Sequence, residues 1–157
     1  MTVSMFIVHV GIWSVAFIDL LTLSRPTVLS TDPVGHNAPE WHISNIAAVV
    51  AGGLAVGVYT TTSVTGLQYR ARHSRANILV VEDRDQLEKV LACRESLSEH
   101  LQCIVQYTGE PSVPGVLSWQ QLLQVGREQP DEILRERLEG QAVNQACMVV
   151  YTSGTTG

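Results

Sequence analysis

The chain holds 157 residues, the length of one ordinary domain, and leaves no room for a second large one. Hydrophobic residues make up 45%, which excludes a disordered chain, and a net charge of −5 excludes the basic face that nucleic acid requires. Lys89 is the sole lysine, so any chemistry that needs a catalytic or phosphate-binding lysine has one candidate here.

Met5 to Ile18 is an apolar run, MFIVHVGIWSVAFI, followed by Asp19 and then by Leu20 to Leu23. A membrane-spanning helix needs about 20 apolar residues, and His9 and Asp19 interrupt this run. No Lys or Arg precedes it, as a secretory signal would require, and no small-x-small cleavage site follows Leu23. Three roles stay open: a buried apolar segment, a membrane-associated or signal-anchor segment, and a secretory signal. Residues 25–39 (RPTVLSTDPVGHNAP) place three prolines among Ser, Thr, Asp and Gly. That composition predicts a linker or a set of turns, with the ordered domain starting near Val34.

Pro39 to Ala51 predicts a helix. Asn37 or Ala38 would stand at its N-cap, Pro39 and Glu40 suit its first turn, and Gly52-Gly53 stops it. Ala55 to Tyr59 is a short apolar run of strand length. Thr60 to Ser63 is a polar turn that can cap a helix over about Val64–His73. Ile78 to Val81 is a buried-strand signal, and Asp85 to Leu97 an amphipathic helix with Leu87, Val90 and Leu91 inward. Cys103 to Tyr107 predicts a third strand and Thr108 to Gly115 a loop. Ser118 would cap a helix over Trp119–Val125, and Pro130-Asp131 would start a charged helix ending near Leu138. Ala146 to Tyr151 predicts a fourth, buried strand. Strand and helix alternate without an internal repeat, which predicts an α/β fold with helices packed on a mostly parallel sheet.

Cys93, Cys103 and Cys147 are odd in number and widely spaced, with no CxxC pair, which predicts reduced thiols in a cytoplasmic setting. His9, His36, His42, His73 and His100 show no metal-ligand spacing. Asp83 with Asp85 reads as a helix cap rather than a catalytic carboxylate pair. Arg70, Arg72 and Arg75 read as a solvated face, and Trp13, Trp41 and Trp119 as core or anchor residues.

Chemistry concentrates in the last seven residues, Tyr151 to Gly157 (YTSGTTG). Glycines let a backbone approach a ligand closely, successive N–H groups form an anion-binding nest, and hydroxyls add donors to phosphate oxygens. The place is also apt, because ligands of α/β sheets bind beyond the carboxyl ends of strands. The string is neither a Walker A loop nor a GxGxxG turn. Composition alone is equally served by an ordinary polar turn after a strand.

The whole string after an apolar strand resembles the phosphate-binding signature of the adenylate-forming, AMP-binding superfamily. Gly35-His36-Asn37-Ala38-Pro39-Glu40-Trp41 resembles the family's G-x-N-x-x-E-W segment. Residues 52–61 (GGLAVGVYTT) and 76–82 (ANILVVE) resemble the bubblegum branch of its long-chain fatty acyl-CoA synthetases. The resemblance covers about residues 34–157 and implies a partial AMP-binding domain, with 1–33 an apolar leader and Pro-rich linker outside the family pattern.

The resemblance implies an ATP-dependent long-chain fatty acid–CoA ligase, which forms an acyl-adenylate and then an acyl-CoA. ATP, magnesium and coenzyme A would be its companions and a long-chain fatty acid its substrate. Thr152, Ser153, Gly154, Thr155, Thr156 and Gly157 would hold the ATP phosphates; the resemblance assigns no catalytic residue and no metal ligand. The family's next motif residues, including a lysine, follow such a loop, and Lys89 lies too far upstream to replace them. The chain therefore reads as an N-terminal fragment that is inactive alone; the alternative is a non-catalytic isoform that binds a membrane or a partner through its leader. Placement is cytoplasmic, or peripheral on the endoplasmic reticulum membrane. The unrelated leader also replaces the helix and strand that the family carries before its G-x-N segment, so a core strand is expected to be missing.

Overall fold

The computed structural model describes residues 3–21, 26–32, 38–152 and 154. Twelve elements appear among them. Helix α1 (Val3–Leu21) and strand β1 (Thr27–Asp32) come first, then α2 (Pro39–Val50), β2 (Leu54–Tyr59), α3 (Val64–His73) and β3 (Ile78–Val81). After these come α4 (Arg84–Leu97), β4 (Cys103–Gln106), β5 (Val116–Ser118), α5 (Trp119–Arg127), α6 (Asp131–Glu139) and β6 (Met148–Val149).

The strands form one sheet of order β5-β4-β3-β1-β2-β6, and every pairing is parallel. Side chains alternate across the sheet, and both faces are covered, as parallel sheets require. Ile78, Val80 and Val105 face α1, α2 and α5, where Trp13, Ile43, Ala47, Leu122 and Leu123 complete one core. Leu79, Val81 and Ile104 face α3 and α4, where Leu67, Ala71, Leu87 and Val90 complete the other. The result is a three-layer α/β/α sandwich.

The helix boundaries follow from local chemistry. Ser63 Oγ accepts from the Gly66 N–H, Asp83 Oδ1 from Gln86, and Ser118 Oγ from Gln121. Gln121 answers by accepting from the Ser118 N–H, so the two form a capping box. Helix α2 begins instead on Ala38, which offers no side-chain cap, with Pro39 in its first turn; Asn37 lies outside the described residues.

Three expectations change. The linker expected over residues 25–39 contains β1, and β1 is a central strand: it pairs with β2 through Thr27–Asp32 and with β3 through Val28–Ser30. The core strand expected to be missing is therefore supplied by the leader region, and the ordered body begins well before Val34. Its cover is α1, whose Trp13 is fully buried and packs on Trp119 at a ring separation of 4.0 Å. The apolar run thus has a partner inside the protein, as the buried-segment reading expects, and no helix among the described residues is long and apolar enough to cross a membrane. Second, Val116–Ser118 adds a strand at the far edge, too short to leave a sequence signal. Third, the strand expected over 146–151 is only two residues long, and it is an edge strand with Met148 55% and neighbouring Val150 69% exposed.

Candidate functional site

Because all strands are parallel, their carboxyl ends share one rim of the sheet. The segment beyond β6 leaves from that rim. Its placement begins with two glutamines. Gln141 Nε2 donates to the Val50 carbonyl and Gln145 Nε2 to the Gly52 carbonyl, which ties the approach to β6 onto the end of α2. The Ala55 N–H then donates to the Cys147 carbonyl, and Met148 and Val149 pair with Ala55 and Val56. Neither glutamine carries a recognisable motif, so sequence alone gave no sign of their role.

Past Val149 the ladder ends, and side chains take over. Tyr151 packs against the core beneath α3. Its hydroxyl lies 2.8 Å from His73 Nδ1 and 3.4 Å from the Arg70 carbonyl oxygen. Tyr69 stacks on His73, both meet the Tyr151 ring edge to face, and the Arg70 guanidinium lies 5.6 Å from the centre of that ring. Burial pushes the Tyr151 hydroxyl above its ordinary pKa, Tyr69 adds to the rise, and the Arg70 charge opposes it.

Of the six residues expected to bind phosphate, Thr152 and Gly154 are described; Ser153, Thr155, Thr156 and Gly157 lie outside the described residues. Thr152 is exposed, and its hydroxyl accepts from the Gly154 N–H at 3.4 Å, a turn closed by a hydroxyl side chain. Gly154 holds φ +82°, and a Cβ built on it would meet nothing within 4 Å. The backbone there is left-handed and open to solvent, a form that suits close approach by a ligand. Beside it, a groove of about 180 Å³ is lined by Trp41, Gly57, Tyr59, Met148, Val150 and Tyr151, and the buried Trp41 indole N–H has no hydrogen-bond partner.

The other candidates settle into structural work. Lys89 Nζ donates to the carbonyl oxygens of Thr60 and Thr62 and so fastens the turn between β2 and α3. Arg70 Nη1 reaches the Thr62 hydroxyl from the same side. Asp83 caps α4, as expected. Cys93, Cys103 and Cys147 are free thiols. Among the described residues no three His, Cys, Asp or Glu side chains converge on a common point.

A family model described as AMP-binding enzyme matches residues 34–157. Long-chain-fatty-acid–CoA ligase ACSBG2 of Gallus gallus is 47% identical over 131 residues, which is 79% of this chain and 16% of that protein. The ACSBG2 protein of Homo sapiens is 42% identical over 125 residues, 79% of this chain and 19% of its own length. The chain thus spans less than a fifth of the curated relatives it matches. Among solved structures, the anthranilate CoA ligase AuaEII in complex with anthranoyl-AMP superposes with a TM-score of 0.68 at 26% identity, over 96% of this chain and 27% of that one. A red-emitting luciferase from Phrixothrix hirtus gives a TM-score of 0.75 at 12% identity, over 98% of this chain and 28% of that one, a likeness of fold.

Proposed function

Because the chain belongs to the AMP-binding enzyme family and its relatives are long-chain fatty acid–CoA ligases, we propose that it supplies the phosphate-binding part of an ATP-dependent fatty acid–CoA ligase. The observation that carries this reading is the open, left-handed turn at Gly154, set on the carboxyl rim of a parallel sheet and fed by the string YTSGTTG. In the reaction, the fatty acid carboxylate attacks the ATP α-phosphorus and expels pyrophosphate, and the coenzyme A thiol then attacks the acyl carbon of the adenylate and expels AMP. Residues 152–157 would hold the β- and γ-phosphates through backbone N–H and hydroxyl donors, which stabilises charge where it builds up. Magnesium would arrive with the nucleotide, as the counter-charge to its phosphates. The chain spans less than a fifth of its relatives, and Lys89 is committed to the Thr60–Thr62 turn. The 157 residues alone are therefore expected to bind phosphate without turning over. A cytoplasmic setting suits three free thiols.

The test pairs calorimetry with turnover. Titration of the 157-residue chain with ATP in the presence of magnesium should give binding that Thr152→Val and Gly154→Val weaken. An acyl-CoA formation assay should give no product, with a full-length relative as the active control. Binding that ignores both substitutions would overturn the phosphate-loop reading, and clear turnover would overturn the expected inactivity.

A further inference from the structure

The hydrogen-bonded ladder stops at Val149, three residues before Thr152. Something else must fix where the loop starts, and the edge position of β6 leaves one flank open to solvent. Tyr151 meets this need from the side of α3, with its hydroxyl 2.8 Å from His73 Nδ1 and its ring against both Tyr69 and His73. Tyr69, Arg70 and His73 are spaced so that Tyr69 and His73 share one face of the helix, four residues apart. Their rings stack nearly parallel, 13° apart at 5.6 Å, which presents the imidazole edge toward the phenol. A phenol carries one proton. Either it donates to His73 Nδ1, or Nδ1–H donates to it and frees that proton for the Arg70 carbonyl; both arrangements keep the contact.

We propose that Tyr69 and His73 form a clamp on Tyr151 that positions the root of the phosphate-binding loop, so that α3 sets the affinity of the loop through Tyr151. The clamp rests on the reading of residues 152–157 as a phosphate site. His73 and Tyr69 are positioning residues in this scheme, acting through Tyr151.

The experiment uses the full chain with four variants: Tyr151→Phe, His73→Ala, the two combined, and Arg72→Ala as an exposed control on the same helix. Backbone relaxation of Thr152 and Gly154 is read by NMR, and affinity for magnesium–ATP by calorimetry. Each clamp variant should drop the order parameters of both residues toward the flexible range, below about 0.6, while leaving the melting midpoint in place. Each should weaken ATP binding about fivefold, the scale of one net hydrogen bond. The combined variant should weaken it by less than the product of the two single losses, because both changes delete the same Tyr151–His73 hydrogen bond. Arg72→Ala should change neither readout. Unchanged order parameters, or losses that multiply in the combined variant, overturn the clamp. If the parent chain binds no ATP, the phosphate-loop reading fails, and the relaxation data alone then decide for or against the clamp.

Discussion

The two ends of the chain divide the labour of the fold in an unexpected way. Residues 3–32 lie outside the span that the family model matches, yet they supply a central strand and a helix with a fully buried tryptophan. Residues 151–157 carry the most specific string in the sequence, yet the strand that leads into them has two paired residues on the sheet edge. The core asks only for apolar side chains at the right period and tolerates varied sequence that meets this demand. The loop asks for particular residue types and little packing, because a ligand must reach it. A family signature and a structural core are thus separate demands, met here by opposite ends of one chain.

The sharpest way to break this comparison is Trp13→Ala. Trp13 is fully buried and rests on Trp119, so its truncation should cost about 3–5 kcal/mol in urea unfolding. A loss under about 1 kcal/mol would mean that α1 is no part of the core. Gly126→Ala comes next. A Cβ on Gly126 would stand 2.1 Å from the Ile12 carbonyl oxygen, so α5 and α1 must separate to admit it. The expected cost is about 2–3 kcal/mol, with faster amide exchange in α1 as the local signature.

Two cysteines extend the contrast to pH. Cys103 opens β4 in the core, and burial pushes its thiol up to about 12; Cys147 leads into the edge strand and is exposed. A thiol reagent at pH 8 should modify Cys147 at once and Cys103 only on unfolding. In the unfolded chain the Cys103 thiol loses its proton near 9.0, while the folded chain keeps it until about 12. Between these values the folded state binds more protons, so the contribution of Cys103 to stability is full below 9 and is lost as pH rises toward 12. A flat stability profile across that window would remove Cys103 from the dry core.

Smaller effects sharpen the picture at the rim. Lys89→Met deletes the donor to the Thr60 and Thr62 carbonyls and should cost about 1–2 kcal/mol, felt as faster exchange of the Thr62 amide. The smallest change should come from Met148→Thr on the edge strand. With Met148 55% exposed, unfolding should shift by no more than about 0.5 kcal/mol. A large loss there would mean that β6 is held more firmly than its two paired residues indicate.

Much of this was legible in the residues. Ser118 and Asp83 announce their helices because a short side-chain oxygen at the N-cap meets a backbone donor three residues on, which is a local event. Ile78–Val81 announces a buried strand because only a sheet covered on both faces wants four apolar residues in succession. Thr27–Asp32 announced nothing. Pro26 and Pro33 bracket it, four of its six residues carry a hydroxyl or carboxyl, and its pairing partners lie more than 20 residues away. Asn77 was equally silent, although its Oδ1 accepts from the Thr27 N–H and its Nδ2 donates to the His100 carbonyl, stitching three strand starts together.

The sequence by itself determined the α/β alternation, most helix ends, the family and the string that would meet phosphate, because each of these is written in neighbouring residues. The tertiary structure alone decided that the leader region provides a central strand, that the last strand is an exposed edge, and that Tyr151 is held by His73 from 78 residues away. Those outcomes depend on which segments come together when both faces of the sheet are covered, and no local spacing encodes that.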